Sequence, residues 1–203
     1  MSRRRLQRAT SARRQAIADE AARLMLDHGI ADYGLAKRKA AVAFGEPPHG
    51  IHLPTNEEIE SARHLRQSLY TPDASVRVEQ LRRLALQVMN FLHPLKSVLT
   101  GDALRGIVTA QSRLELHVFC QTPEEVALHL LDKGLPYELQ NRRYRFPRYE
   151  TSLTAFVFAY DGCPVVLTPF TEEERQPPLS PLDGQPYPRA DRRALLLLLE
   201  RGA

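Results

Sequence analysis

Two stretches of the sequence, residues 99–106 and 112–119, combine glycine, acidic and basic residues at spacings that could bind phosphate. A glycine such as Gly101 lets the backbone pass close to a ligand, and the N–H groups at a helix start attract negative charge. Residues two apart on a strand point to the same face, so Arg113 and Glu115 are expected to lie side by side. The chemistry this pattern suggests is the binding of a phosphorylated ligand, with or without a metal ion.

The spacing of these residues resembles the signature of polymerase-β-like nucleotidyltransferases. In that family a strand ends in Gly-Ser, a helix start and a second Gly follow, and the next strand opens Ser-Asp-hydrophobic-Asp-hydrophobic. Here Gly101 and Gly106 are five positions apart, and Gly101 precedes Arg113, at the first acid position, by twelve. The resemblance covers residues 97–170. It implies a mixed sheet, Mg²⁺, a nucleoside triphosphate and nucleotidyl transfer to a hydroxyl or amine.

The chain departs from the family pattern at most of the positions that would hold the metal. Asp102 stands at the family's serine, and Arg113 stands at the first acid, where a guanidinium cannot ligate a cation. Glu115 keeps a carboxylate at the second acid, whereas the third acid position falls on Val166. Glu115 and Asp102 are therefore the only catalytic candidates, and Glu115 is the metal candidate. We expect nucleotidyl transfer to be lost or strongly altered.

Nucleotide or phosphate binding is the activity expected to remain. Asp102 either contributes a carboxylate to the site or acts as a helix N-cap, a position that aspartate favours. Arg113 either pairs with a phosphate, whose geometry a guanidinium matches, or simply pairs with Glu115. His117 shares their face and would line a pocket. The candidate binding residues are Gly101, Asp102, Ser112, Arg113 and His117.

The alternative function is that of a nucleic-acid-binding regulatory protein. The first 14 residues contain six arginines and no acid, which is typical of a nucleic-acid arm or of a solvated terminus. A helix ending at Gly29, followed by a short basic helix, resembles the start of a helix-turn-helix module, although a packing or dimerising extension has the same pattern. The candidate residues in these segments are Arg3, Arg4, Arg5, Lys37, Arg38 and Lys39.

A second basic cluster, Arg142, Arg143 and Arg145, alternates with Tyr144 and Phe146. Basic residues beside aromatic ones can hold a single strand of nucleic acid through phosphate contacts and base stacking. The same alternation is also typical of an amphipathic strand that has one buried and one solvated face. The sequence leaves both interpretations open.

Composition limits the class of protein. The 203 residues carry a net charge of +4, and the six N-terminal arginines exceed it, so the remaining chain is slightly acidic. Two cysteines give neither a disulfide framework nor metal-ligand spacing. No apolar run approaches the roughly 18 residues that a membrane span needs. We therefore expect a cytoplasmic protein without membrane contact, in which the helical N-terminal region is a candidate for self-association.

The order of the elements predicts an α+β or mixed α/β fold. Helical periodicity dominates up to residue 92, the later segments alternate as strands around one helix, and Asp161-Gly162 is typical of a hairpin turn. The proline-rich segment 176–188 is either a linker or a wrapping arm, and a helix follows it. The predicted regions are a flexible basic tail (1–14), a helical region (15–94), a nucleotidyltransferase-like core (95–175) and an arm with the C-terminal helix (176–203).

Overall fold

In the computed structural model of the chain, the described residues are 3–50, 52–109, 111–171, 174 and 176–201, with side chains described from residue 10 onward. The chain divides into two units. One contains residues 1–74 with 109–111 and 181–183, and the other contains residues 75–108, 112–180 and 184–203.

The first unit is built from three helices: α1 (Arg3–Asp27), α2 (Tyr33–Ala43) and α3 (Asn56–Tyr70). Helix α1 packs against both of the others. It begins at Arg3, so most of the basic segment that the sequence analysis separates as a tail belongs to this helix. Thr55 caps the start of α3, where it forms a reciprocal capping box with Glu58. Alanines and a few larger side chains, including Ile17, Met25 and Ile59, form the core.

The second unit is a five-stranded mixed sheet with helices, which confirms the predicted α+β class. The sheet order is β1-β2-β5-β4-β3, and β2 and β5 form its parallel pair. The elements in chain order are α4 (Ala74–Phe91), β1 (Lys96–Thr100), α5 (Gly101–Arg105), β2 (Leu114–Phe119), α6 (Pro123–Asp132), β3 (Glu138–Arg145), β4 (Glu150–Tyr160), β5 (Cys163–Phe170) and α7 (Arg192–Arg201).

The alternation of side chains along β2 separates an apolar face from a polar one. Leu114, Leu116 and Val118 are fully buried in a core with residues of α4, α6 and β5. The intervening residues, Glu115 and His117, point to the opposite face. We call that side of the sheet the polar face and define it by Glu115, His117, Arg142, Tyr144 and Thr168.

Short sequence patterns predict the hairpin turn and the start of α6 correctly. Asp161 and Gly162 both adopt positive φ, 49° and 75°, as a two-residue hairpin turn between twisted strands requires, so this predicted turn is confirmed. Pro123 occupies the start of α6 with acidic residues in its first turn, as the sequence indicates. Within the described residues, every helix is too short or too polar to cross a bilayer.

Candidate functional site

The turn that follows β1 lies directly against the start of β2. Thr100 and Glu115 are register partners in the antiparallel pair of strands. Gly101 has φ +73°, and a Cβ atom built on it would lie 3.0 Å from Glu115 Oε2. Glycine is therefore needed here both for the left-handed backbone and for the close approach. The juxtaposition that the motif requires is thus present in the fold.

The Glu115 carboxylate is held by two arginines on the polar face. Its Oε1 accepts hydrogen bonds from Arg113 Nε at 3.0 Å and from Arg142 Nη2 at 3.3 Å. Burial, the largest single influence, would lower the pKa of Arg142, but the charge and hydrogen bond of Glu115 together with the nearby Tyr144 and Tyr187 outweigh it, and the pKa is raised. Val166 is the register partner of Glu115 on β5 and has no oxygen ligand in its side chain. The acid position of the motif is thus part of an ion-pair cluster.

Asp102 does not cap a helix, so that interpretation of the sequence is wrong. The N-cap of α5 is Thr100, and Asp102 lies within the first turn. Its Oδ1 accepts a hydrogen bond from Arg105 Nη2 at 2.6 Å, an i,i+3 pair along the helix. Both candidate carboxylates of the motif are therefore paired with arginines.

Arg82 of α4 fixes the position of α5, and sequence reasoning missed it. Its Nε donates to the carbonyl oxygen of Ala103 at 3.1 Å, and its Nη2 donates to that of Leu104 at 2.9 Å. Burial lowers the pKa of Arg82. Carbonyls at a helix end lack partners within the helix, so this arginine satisfies them and holds the turn in place. No local pattern marks it, because its partners are about twenty positions away.

His117 is buried, with 2% of its surface exposed, and it is neutral. Its Nδ1 accepts a hydrogen bond from Arg189 Nε at 2.9 Å, so the ring carries its proton on Nε2. Burial lowers its pKa well below the ordinary value, and the positive charges of Arg189 and Arg142 lower it further. The expected position of His117 on the face of Glu115 is confirmed.

Aromatic side chains surround His117. Tyr144 lies edge-on to the imidazole and its hydroxyl is 3.1 Å from Thr168 Oγ1. Tyr187 also meets the ring edge-on, with centroids 5.9 Å apart, while Phe170 lies at 4.4 Å. Burial, together with the nearby charge of Glu115, raises the pKa of Tyr187 to about 12. The polar face therefore combines guanidinium groups with flat rings.

The proline-rich segment is a wrapping arm attached to the sheet at both of its ends. Leu179 N donates to the carbonyl oxygen of Arg145, the last residue of the edge strand β3, at 2.6 Å. At the other end, Leu99 and Ala190 exchange two backbone hydrogen bonds of 2.8 and 2.9 Å on β1. The arm thus brings Tyr187 and Arg189 to the polar face. The sequence did not identify either residue, because neither belongs to a motif.

The structure brings four of the predicted site residues together: Gly101, Arg113, Glu115 and His117. Asp102 follows Gly101 directly but faces Arg105. Ser112 is half-buried and lies in the segment that precedes β2.

The second basic cluster is divided between the two faces of β3. Arg142 is half-buried beside Glu115, whereas Arg143 and Arg145 are exposed and point the other way. Tyr144 and Phe146 are buried, with 7% and 4% exposure. The strand is amphipathic, and the three arginines do not form a common surface.

The basic residues of α2 are also dispersed. Lys37 is half-buried, and burial lowers its pKa, whereas Arg38 and Lys39 are exposed. Consecutive residues point around a helix, so they do not form one stripe. The side chains of Arg3, Arg4 and Arg5 lie outside the part of the chain for which side chains are described.

The side chains of the site do not suit a divalent cation. Within the described ranges, no cluster of three or more histidine, cysteine, aspartate or glutamate residues could hold a metal ion. The two arginines that contact Glu115 would also repel a cation placed there.

Comparison of the sequence with protein-family models gives no match, and no curated protein matches it either.

Proposed function

We propose that this chain is a polymerase-β-like nucleotidyltransferase-superfamily protein that has lost metal-dependent transfer, or retains it only weakly, and that binds the phosphate groups of a nucleotide through arginines. The observation that carries the proposal is the double ion pair at Glu115, with Arg113 at 3.0 Å and Arg142 at 3.3 Å. In the resembled family this position is a metal ligand. Here two guanidinium groups contact this carboxylate.

Electrostatics supports the loss of the metal. At about 4 Å and an effective dielectric constant of about 20, two unit charges interact by about 4 kcal/mol, and a divalent ion doubles that repulsion from each guanidinium. At equal distances one carboxylate offsets only one of these two repulsions, and Val166 adds no charge at the third position. We therefore derive no reaction step through Mg²⁺.

Charge and shape support phosphate binding. Arg113 and Arg142 together exceed the single negative charge of Glu115, so the cluster keeps a net positive charge. Guanidinium groups can donate in parallel to two oxygens of a phosphate. Gly101 lies beside them with its backbone packed on Glu115, and the buried rings of His117 and Tyr144 form an apolar support next to the charge. The phosphate groups of a nucleotide carry the negative charge that such a cluster would accept.

The test is calorimetric titration with ATP, CTP, GTP and UTP, in EDTA and in excess Mg²⁺. We expect binding that weakens with salt and does not require Mg²⁺, together with no release of pyrophosphate. Tight binding that depends on Mg²⁺ would contradict the loss of the metal site. Absence of binding by all four nucleotides would refute nucleotide binding.

A matched pair of variants identifies the surface. Arg142→Met removes a guanidinium beside Glu115, whereas Arg143→Met removes the same charge from the next residue, which is exposed on the opposite face. We expect the first variant to bind nucleotide at least about tenfold more weakly, the effect of one charge-assisted contact, and the second to bind as wild type does. Equal effects of the two variants would show that only the general charge matters.

A further inference from the structure

The arm holds Arg189 in a fixed place on the polar face. Thr100 Oγ1 donates to the carbonyl oxygen of Pro188 at 2.8 Å, and Ala190 is paired with Leu99 through two backbone hydrogen bonds. Arg189 thus lies between two residues that are tied to β1. Separating the arm from the sheet would break these bonds, so they hold Arg189 against the sheet.

The guanidinium of Arg189 lies on aromatic rings. Its central carbon is 4.8 Å from the ring centroid of Phe170 and 5.3 Å from that of Phe119, and its Nε donates to His117. Stacking and the hydrogen bond orient the plane of the group, which reduces the entropy that it would lose on binding a ligand. Burial lowers the pKa of Arg189 to about 10, so it remains charged at neutral pH.

Arg189 reaches the polar face from the arm and bonds to His117, whereas Arg142 reaches it from β3 and bonds to Glu115, two residues earlier on β2. Arg113 and Arg142 contact Glu115, and Arg189 contacts His117, so three guanidinium groups and one carboxylate lie along this face of β2. Two positive charges are in excess. The terminal phosphate of a nucleotide carries between about −1.5 and −2 charges near neutral pH, which matches this excess.

We propose that Arg189 is a third phosphate-binding residue, so that the arm completes a metal-independent site for the terminal phosphate of a nucleotide. This inference rests on the proposed function and adds the group that neutralises the second charge of the ligand. In the resembled family a divalent cation supplies that neutralisation. Here the stacked guanidinium of the arm supplies it.

The experiment compares ATP, pyrophosphate and adenosine as probes in EDTA, by calorimetry, on the full chain. Arg189→Met is expected to weaken ATP and pyrophosphate binding at least about tenfold relative to wild type, the effect of losing a charge-assisted contact. Adenosine binding should change little. Arg192→Met is the control, because it removes the same charge from an exposed position three residues further along the chain.

A second variant guards against disruption of the arm. Arg189→Gln keeps a donor for His117 and removes the charge, so it should show the same loss of affinity. Hydrogen–deuterium exchange of residues 186–190 reports whether the arm stays paired with β1. Normal ATP affinity in Arg189→Gln with the arm in place would overturn the proposal.

The remaining outcomes are also decisive. If Arg189→Met binds ATP more tightly than wild type, the arm obstructs the site and the proposal is wrong. If Arg142→Met loses binding while both Arg189 variants keep it, this inference fails and the proposed function stands. If wild type binds none of the phosphorylated probes, the proposed function fails and the inference fails with it.

Discussion

Replacing Gly101 by alanine tests the contact on which the site is built. The added Cβ atom would lie 3.0 Å from Oε2 and 3.1 Å from Cβ and Cδ of Glu115, distances at which the neighbour must move. The backbone at Gly101 has φ +73°, a left-handed conformation that costs an alanine about 1–2 kcal/mol. Displacing Glu115 would also weaken two partly exposed ion pairs, each worth at most about 1 kcal/mol. The expected loss of stability is thus about 1–4 kcal/mol.

Gly162→Ala separates the two contributions. Gly162 has φ +75° and no atom within 4 Å of the added Cβ, so only the backbone penalty of about 1–2 kcal/mol applies. The assay is urea denaturation followed by circular dichroism, with hydrogen–deuterium exchange of residues 97–120 as the local readout. Gly101→Ala should be the less stable of the two variants and should exchange faster in this segment. Equal stability of the two variants would refute the close packing of Gly101 on Glu115.

Two further predictions concern buried charge. In the helical unit, Arg63 Nη1 donates to Glu60 Oε2 at 2.8 Å, and both side chains are almost fully buried. Arg63→Met leaves the buried carboxylate without its cation, so it should lower the free energy of unfolding by about 3–5 kcal/mol, measured by urea denaturation. Glu60→Leu combined with Arg63→Met should recover much of this loss, and an equally unstable double variant would contradict the explanation. In the sheet unit, the pKa of His117 is lower in the folded protein than in the unfolded chain. Below about pH 6.5 the unfolded chain therefore takes up a proton that the folded protein does not. The free energy of unfolding should fall as the pH drops below about 6.5. The charged and titratable groups facing the ring are Arg142, Arg189, Tyr144 and Tyr187. Denaturation between pH 5 and 8 should show a weaker pH dependence in His117→Phe, and an unchanged slope would rule out this histidine as the cause.

Much of the local structure follows from residues that are close in sequence. The capping box at Thr55, the Asp161-Gly162 turn and the alternation around Tyr144 each depend on a few neighbouring residues. Capping, positive φ and the two-residue strand period act over such distances, so these elements could be predicted. The start of α1 at Arg3 could not be predicted, because the segment before Arg13 has no apolar stripe that would mark it as helical.

The site was only partly predictable. The spacing of Gly101 and Glu115 indicated that a glycine turn would meet a strand carboxylate, and the fold brings them together. The same pattern could not show that Asp102 pairs with Arg105 in preference to capping the helix, since aspartate suits either position. Local chemistry limited the alternatives, and packing chose between them.

The sequence by itself determined the class of the fold and the turn that carries Gly101. It also placed Arg113 and Val166, which have no carboxylate, at two of the three positions where the resembled family has acids. Only the tertiary structure decided which cations surround Glu115 and His117. Arg142 is 27 residues from Glu115, and Arg189 is 72 residues from His117. Their meeting depends on the order of the strands and on the path of the arm, which no short pattern encodes, because contacts between distant residues form only when the whole sheet is assembled.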